Sequence, residues 1–478
     1  MSHPVIGWEQ ETPIPNHPFT GFLEARQGRL YLEGLDLAQL LLGDRQDQGA
    51  GRTFSSPLEI VYLPLIRKKI RALQQAFADA IAEIGYPGQF IYTYPSKVNM
   101  AEEVVQTVAR TGVNYEISTV MDVAIVRRLL ETGSLTRRQK VLCNGFKPAG
   151  TGYADAIVQL QRDYGNIFPV VDDLSELPPL LESGLAFEVG LRQKSYGHHT
   201  NAAEMEAANS RFGMTTDDLW QAAERIAASE NLTLTMYHAM VGSQIANGED
   251  FVARLTPPIE LYARLRRRHP GLNVFNFGGG VPAQMTLDFD FDYRAFARRL
   301  LDTLAQVCAR FQVPPPDVMG EMGRYTVSEH GAHLFKVVEV KENRSTYPWY
   351  IINGSIMSSF PDTWALGEHF IVLPVTHLDQ PFRRVQLGGI TCDSDDIYPQ
   401  HKSTAPLYLP VETRDLYVGF FSIGAYQEIL GGIGGVKHCV VPEAEELIVD
   451  QNLDGTYRFR AVPGQDAARL LANLGFRL

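Results

Sequence analysis

Six stretches of this chain end in residues able to do covalent chemistry or to hold an anion, and each of those ends follows an apolar run. Lys97 comes after QFIYTY in YPSKVN, Glu116 lies in VNYEIS, and Asn144 closes KVLCNG. His238, Met240 and Ser243 close LTLTMYHAMVGSQ. Gly278, Gly279 and Gly280 close LNVFNFGGG, and Glu321 and Arg324 close DVMGEMGR. Singly, each is ordinary. A lysine past a strand is usually solvated, a glycine run is often a turn, and a Glu–Arg pair is commonly a salt bridge. A histidine on an apolar run is usually a hydrogen-bonded core residue, and a cysteine such as Cys392 a small buried hydrophobe. Together they supply an amine, a carboxylate, a guanidinium and a backbone anion nest. That set suits a phosphorylated cofactor carrying a carbonyl and a ring nitrogen.

These residues must be brought to one place by the elements that carry them. From about Leu58 the sequence alternates helical and extended patterns, beginning with IVYLPLIRKKIRALQQAFADAIAEIG at helical spacing. Eight extended runs separated by helices follow, which predicts parallel strands with crossover helices. Eight such units over this length predict an α/β fold, a (β/α)8 TIM-type barrel, whose reactive groups gather at the carboxyl ends of the strands. After about Leu334 the helices give way to short extended runs, from FKVVEVKE to TYRFRAV. This predicts a second, mainly β C-terminal domain. The expected division is an N-terminal segment over 1–57 packing on the β domain through RLYLEGLDL, a barrel over 58–334, and the β domain over 335–478.

The composition narrows the function class. The chain has 478 residues, 45% hydrophobic and 21% charged, with 43 Lys+Arg against 55 Asp+Glu and a net charge of −12. An acidic protein is repelled by nucleic acid and by anionic membranes, so neither is an expected partner. Four scattered cysteines, Cys143, Cys308, Cys392 and Cys439, show no metal-ligand spacing and no disulfide framework. A reducing, cytoplasmic setting and no metal are expected. The N-terminus lacks a basic start and apolar core of signal-peptide type, and no apolar run approaches a membrane span.

Over residues 86–432 the chain resembles the arginine decarboxylases of the alanine-racemase-like, fold type III class of pyridoxal-phosphate-dependent enzymes. Ornithine and diaminopimelate decarboxylases belong to the same class. The resemblance is carried by YPSKVN, VLCNGFK, SRFGM, GSQ, NFGGG, GRYTVSEH, SSFPDTWAL, ITCDSDD and GAYQEILG. It implies that Lys97 attaches covalently to the aldehyde of pyridoxal 5'-phosphate. It further implies that Gly278, Gly279, Gly280 and Ser243 bind the phosphate, with Arg324 and Tyr426 adding charge and a hydrogen bond. Glu321 is placed at the pyridine nitrogen, and Glu116, His238 and Met240 complete the cofactor-binding set. Cys392 is implied as the donor that returns a proton to the substrate's α-carbon, and Asp393 as the acceptor of its distal cation. Asp362 and Asp396 are further acidic candidates for the substrate. In relatives the Cys–Asp segment reaches across a dimer interface, which implies a homodimer or higher homo-oligomer with shared active sites.

Three departures stand out. The family's sixth strand usually ends His-x-Gly-Ser, and Met240 replaces that histidine, with His238 two residues earlier on the same strand face. Only a short connection, roughly 330–352, precedes INGSIMSSFPDTW, where many relatives carry a long helical insertion. GIGGVKHC replaces the usual continuation after GAYQEILG. The implied reaction is decarboxylation of L-arginine to agmatine for polyamine synthesis, the acidic CDSDD segment matching a guanidinium. Lysine, ornithine or a modified arginine is the alternative substrate, and a catalytically drifted regulatory homologue the alternative role.

Overall fold

The structure is a computed structural model that describes residues 3–43, 49–194, 210–342 and 346–477. The chain divides into two compact units. One comprises Arg67–Pro282 and Asp290–Thr326; the other comprises Met1–Ile66, Ala283–Phe289 and Val327–Leu478.

The first unit is a closed barrel of eight parallel strands. In chain order they are β1 (Phe90–Pro95), β2 (Asn114–Ile117), β3 (Val141–Cys143), β4 (Ile167–Val171), β5 (Phe187–Gln193), β6 (Leu232–Ala239), β7 (Val274–Asn276) and β8 (Asp317–Glu321). Each pairs with its sequence neighbours, and β8 closes on β1 through Met319 opposite Ile91 and Glu321 opposite Thr93. Strands covered on both faces must be apolar along their length, and β3 and β4 are buried at every residue. Leu142, Phe168, Val170, Met236 and Met319 fill the barrel interior. The outer helices bury one stripe each. In Leu63–Ile84 it includes Ile70, Leu73, Phe77 and Ala80, and Phe77 stacks on Phe90 at 3.7 Å between ring centroids. Side-chain caps set several helix starts: Thr215, Asn247 and Asp292 accept from backbone N–H groups of their first turns.

The second unit is mainly β. Gly331–Lys341 is its central strand, antiparallel to Leu58–Tyr62, Trp349–Ile352 and Tyr417–Phe421. Leu58–Tyr62 also runs parallel to Glu445–Gln451. The LEIVY run therefore corrects the sequence expectation: it is a strand of this unit, not the first turns of a barrel helix. Its Leu58, Ile60 and Val61 are buried in the sheet, and the helix begins only at Leu63. RLYLEGLDL is extended and lies in this unit, but it pairs within a sheet of its own. Arg29–Leu32 and Leu35–Asp36 complete a four-stranded antiparallel sheet with His17–Pro18 and Leu23–Arg26. It joins the larger sheet through a shared apolar core that includes Leu30, Leu32, Ile371 and Val375, and Leu30 N–H donates to the Val375 carbonyl at 3.1 Å. Among the described residues of this unit the longest helix after residue 326 is Ala467–Asn473. No helix of the described residues is long and apolar enough to cross a membrane.

Candidate active site

Strand order places Lys97, Glu116, Asn144, His238, Asn276 and Glu321 at the carboxyl ends of the barrel strands. Lys97 rides on a single 3₁₀ turn, Ser96–Val98, directly after β1. Ser96 and Val98 are buried while the lysine side chain is exposed. The turn is therefore anchored on both sides of the lysine.

Glu321, the last residue of β8, is the electrostatic centre. Its Oε1 accepts from Asn144 Nδ2 at 3.0 Å and from Asn276 Nδ2 at 2.8 Å, and His238 Nε2 lies 3.7 Å away. Burial pushes its carboxyl upward. Opposing this, His238, the Asn144 amide, Lys97 and the Asn276 amide together leave it below the ordinary carboxylate range. Burial lowers His238 to about 4, so the imidazole is neutral near pH 7. There the two amides and Lys97 hold Glu321 ionised.

The loop carrying Asn144 is pinned by a buried ion pair. Lys147 Nζ donates to the Gly145 and Val170 carbonyls, each at 2.7 Å, and to Glu176 Oε2 at 2.9 Å. Burying an ammonium is costly unless every proton finds an acceptor, and here each does. Lys147 thus holds the chain on which Asn144 meets Glu321.

Glu116 lies in β2, opposite Leu142 of β3, and is buried. Neither of its oxygens has a hydrogen-bond partner. Burial pushes its pKa up to about 7, with Lys97 pulling down and Glu321 pushing up. Thr93 Oγ1 and both His238 ring nitrogens are likewise buried without partners. Native interiors rarely leave polar atoms so, and three such groups on one rim mark a place where a polar ligand belongs.

The glycine run forms a cradle. Gly278 and Gly280 have φ of +67° and +104°. A Cβ on Gly278 would meet Met240 Sδ at 2.9 Å, and one on Gly280 would meet the Gly242 carbonyl at 2.9 Å. Only glycine satisfies both the backbone and the space. Gly278 N–H donates to Asn276 Oδ1 at 2.8 Å, and Gly279 N–H points at Met240 Sδ at 3.2 Å. A thioether is a weak acceptor, which a phosphate oxygen readily outcompetes. Ser243 is exposed in the loop after β6, and Arg324 opens the short helix Arg324–Val327 after β8.

The donor set fits pyridoxal phosphate: an exposed amine, an ionised buried carboxylate for a ring nitrogen, an anion cradle and orphaned polar atoms between them. Asn276 was not legible as part of it, because an asparagine beside three glycines reads as turn punctuation. Its only sequence signal is a polar residue inside the buried run VFN.

The remaining candidates lie in the β unit. Cys392 is exposed rather than buried, in the loop after Phe382–Gly388. Asp393 accepts from Asp395 N–H at 2.9 Å through Oδ1, and its Oδ2 lies 3.8 Å from His438 Nε2. Tyr426 precedes the helix Gln427–Gly431 with φ +67°. Two acids have other employment. Asp396 is buried and accepts from Ser355 Oγ and the Ile356 and Met357 N–H groups through Oδ1. Through Oδ2 it accepts from Thr391 N–H and Oγ1. With its lone pairs taken at a helix start, it is a structural cap and offers nothing to a substrate cation. Asp362 is buried and bound reciprocally to Gln427, accepting from Nε2 at 2.7 Å and donating its N–H to Oε1 at 3.2 Å.

The family profile described as "Pyridoxal-dependent decarboxylase, pyridoxal binding domain" matches residues 65–328. The chain is 23% identical to the biosynthetic arginine decarboxylase of Pseudomonas putida, over 93% of this chain and 86% of that protein. The solved structure of the biosynthetic arginine decarboxylase from Campylobacter jejuni superposes with a TM-score of 0.78 at 20% identity, over 95% of this chain and 89% of that one. Diaminopimelate decarboxylase from M. jannaschii in complex with L-lysine gives 0.77 at 17% identity, over 95% and 98%. These structural likenesses show a shared fold.

Proposed function

Because the chain belongs to the pyridoxal-dependent decarboxylase family, we propose that it converts L-arginine to agmatine, a step of polyamine biosynthesis. The observation that carries the decarboxylase chemistry is the ionised, buried Glu321, held by Asn144 and Asn276 beside Lys97. Bound pyridoxal phosphate supplies an electron sink for the pair left when the α-carboxylate departs as CO2. A carboxylate kept charged in a buried site keeps a proton on a facing ring nitrogen, which deepens that sink. Lys97 would hold the cofactor covalently through its amine. The glycine cradle, Ser243, Arg324 and Tyr426 hold the phosphate, and Glu116, His238 and Met240 line the remaining rim. Cys392 returns the proton to the α-carbon.

Arginine is supported by relatives named for that substrate and by Asp393, an acid whose Oδ2 lies 3.8 Å from the His438 ring. A guanidinium pairs with such a carboxylate through two parallel hydrogen bonds. In this reading the protein is a homodimer, with the Cys392–Asp393 loop contributed across the interface. His438 also favours a second substrate class. A basic ring beside Asp393 competes with a large distal cation and suits a smaller or modified one.

The test is mass spectrometry of products from cofactor-loaded protein incubated separately with arginine, ornithine, lysine and diaminopimelate. Agmatine from arginine alone is the expected result. Cadaverine or putrescine as the main product would transfer the assignment to another basic amino acid. No amine from any of them, with an intact cofactor spectrum, would defeat the decarboxylase reading for all four.

A further inference from the structure

Cys392 and Cys439 stand 47 residues apart in sequence, yet their sulfurs are 3.9 Å apart. Both are exposed, whereas Cys143 and Cys308 are buried. Two loops of the β unit bring them together: the segment after Phe382–Gly388, and the 3₁₀ turn His438–Val440. Cys439 and Val440 have φ of +56° and +55°. The left-handed region is unfavourable for a side chain and most so for a β-branched one. The fold therefore maintains a costly backbone at the residue that puts this sulfur beside Cys392.

A base adjoins the pair. His438 Nδ1 lies 3.1 Å from Cys439 Sγ, and Nε2 faces Asp393 at 3.8 Å. A carboxylate on that side favours the ring proton on Nε2 and leaves Nδ1 to accept from the thiol. A backbone hydrogen bond at Cys392 lowers the Cys439 thiol, but desolvation and the neighbouring Cys392 thiol outweigh it and leave that thiol above its usual range, so the adjoining His438 nitrogen is the base needed to take its proton. Gly431, Gly432, Gly434 and Gly435 precede the turn and let it close the remaining gap to a bond of about 2.05 Å.

We propose that Cys392 and Cys439 are a modification site for low-molecular-weight disulfides such as oxidised glutathione, closing into an intrachain disulfide. Cys439 gives its proton to His438, and its thiolate attacks the reagent, whose S–S bond breaks to release one thiolate. That thiolate takes the proton from His438. The Cys392 thiolate then attacks the Cys439 sulfur and expels the second glutathione thiolate, which is protonated by the proton Cys392 lost. Two protein thiols are oxidised to one disulfide while one glutathione disulfide is reduced to two thiols. The covalent step stands on this geometry alone. Its effect on turnover rests on the proposed role of Cys392, whose thiol the disulfide removes.

The experiment treats the full-length, cofactor-loaded protein with oxidised glutathione and maps peptides without reduction, alongside activity. A Cys392–Cys439 cross-linked peptide, lighter by two hydrogens, is expected. Turnover should fall about a hundredfold or more, the scale of losing a general acid, and dithiothreitol should restore it. Cys439→Ser should keep its basal turnover and resist the loss. Glutathione adducts without the cross-link, or equal inactivation of Cys439→Ser, would overturn the proposal. A cross-link that leaves turnover unchanged would uphold the thiol pair and remove Cys392 from the proton-donor role.

Discussion

The barrel rim and the CDSDD loop both concentrate polar groups, but they treat water in opposite ways. At the rim, Glu116, His238 and Glu321 are buried; burial displaces the proton affinities of Glu116 and His238, while the neighbours of Glu321 overcome it and keep that carboxyl low. In the loop, Cys392 is exposed and Asp393 partly so, while only Asp396 is buried, with each oxygen bonded to the chain. The rim is a fixed electrostatic field awaiting a ligand. The loop is a solvated surface hung from one saturated carboxylate. Groups that set charge need a dry, rigid seat, and the rim alone provides one.

The largest test of this contrast is Lys97→Ala. It should abolish the absorbance of covalently held cofactor and lower turnover by about three or more orders of magnitude. An unchanged spectrum would remove the rim from cofactor chemistry. Next come the two acids of the loop. Asp396→Ala severs five hydrogen bonds and should cost about 2–4 kcal/mol of stability, read as a lower Tm. Asp393→Ala should shift Tm little and raise KM for a cationic substrate about tenfold. If the two variants exchanged phenotypes, the division of labour drawn here would be reversed.

The smallest effect is a pH dependence. In the cofactor-free protein Glu116 has its pKa raised from an ordinary 4.5 to about 7, so folding favours its protonated form. Its contribution is fully present below 4.5 and is lost as pH rises through 7. Melting curves of wild type and Glu116→Gln across that window should diverge in this sense. Parallel curves would mean that Glu116 is not a dry carboxylate.

The sequence displayed the barrel well, because each strand is a short apolar run closed by a polar or glycine residue. It displayed less of the site. Lys97, Glu321 and the glycines stand at strand ends and could be found there. Asn276 could not, since its amide reaches Glu321 from a position that reads as a turn. Asp396 misled for the opposite reason: acidity is visible in a sequence, but the helix start that consumes it is not. LEIVY misled because its apolar residues fit a helical stripe as well as a strand, and only Gly331–Lys341 and Glu445–Gln451, hundreds of residues away, decide between them. The meeting of Cys392 with Cys439 is likewise a product of tertiary folding alone.

The 3₁₀ turn at Ser96–Val98 has one more implication. With both neighbours buried, Lys97 works as a tethered crane: its pivot is immobile and its sweep is the length of one four-carbon stem. Whatever molecule the rim receives must present its amine inside that radius.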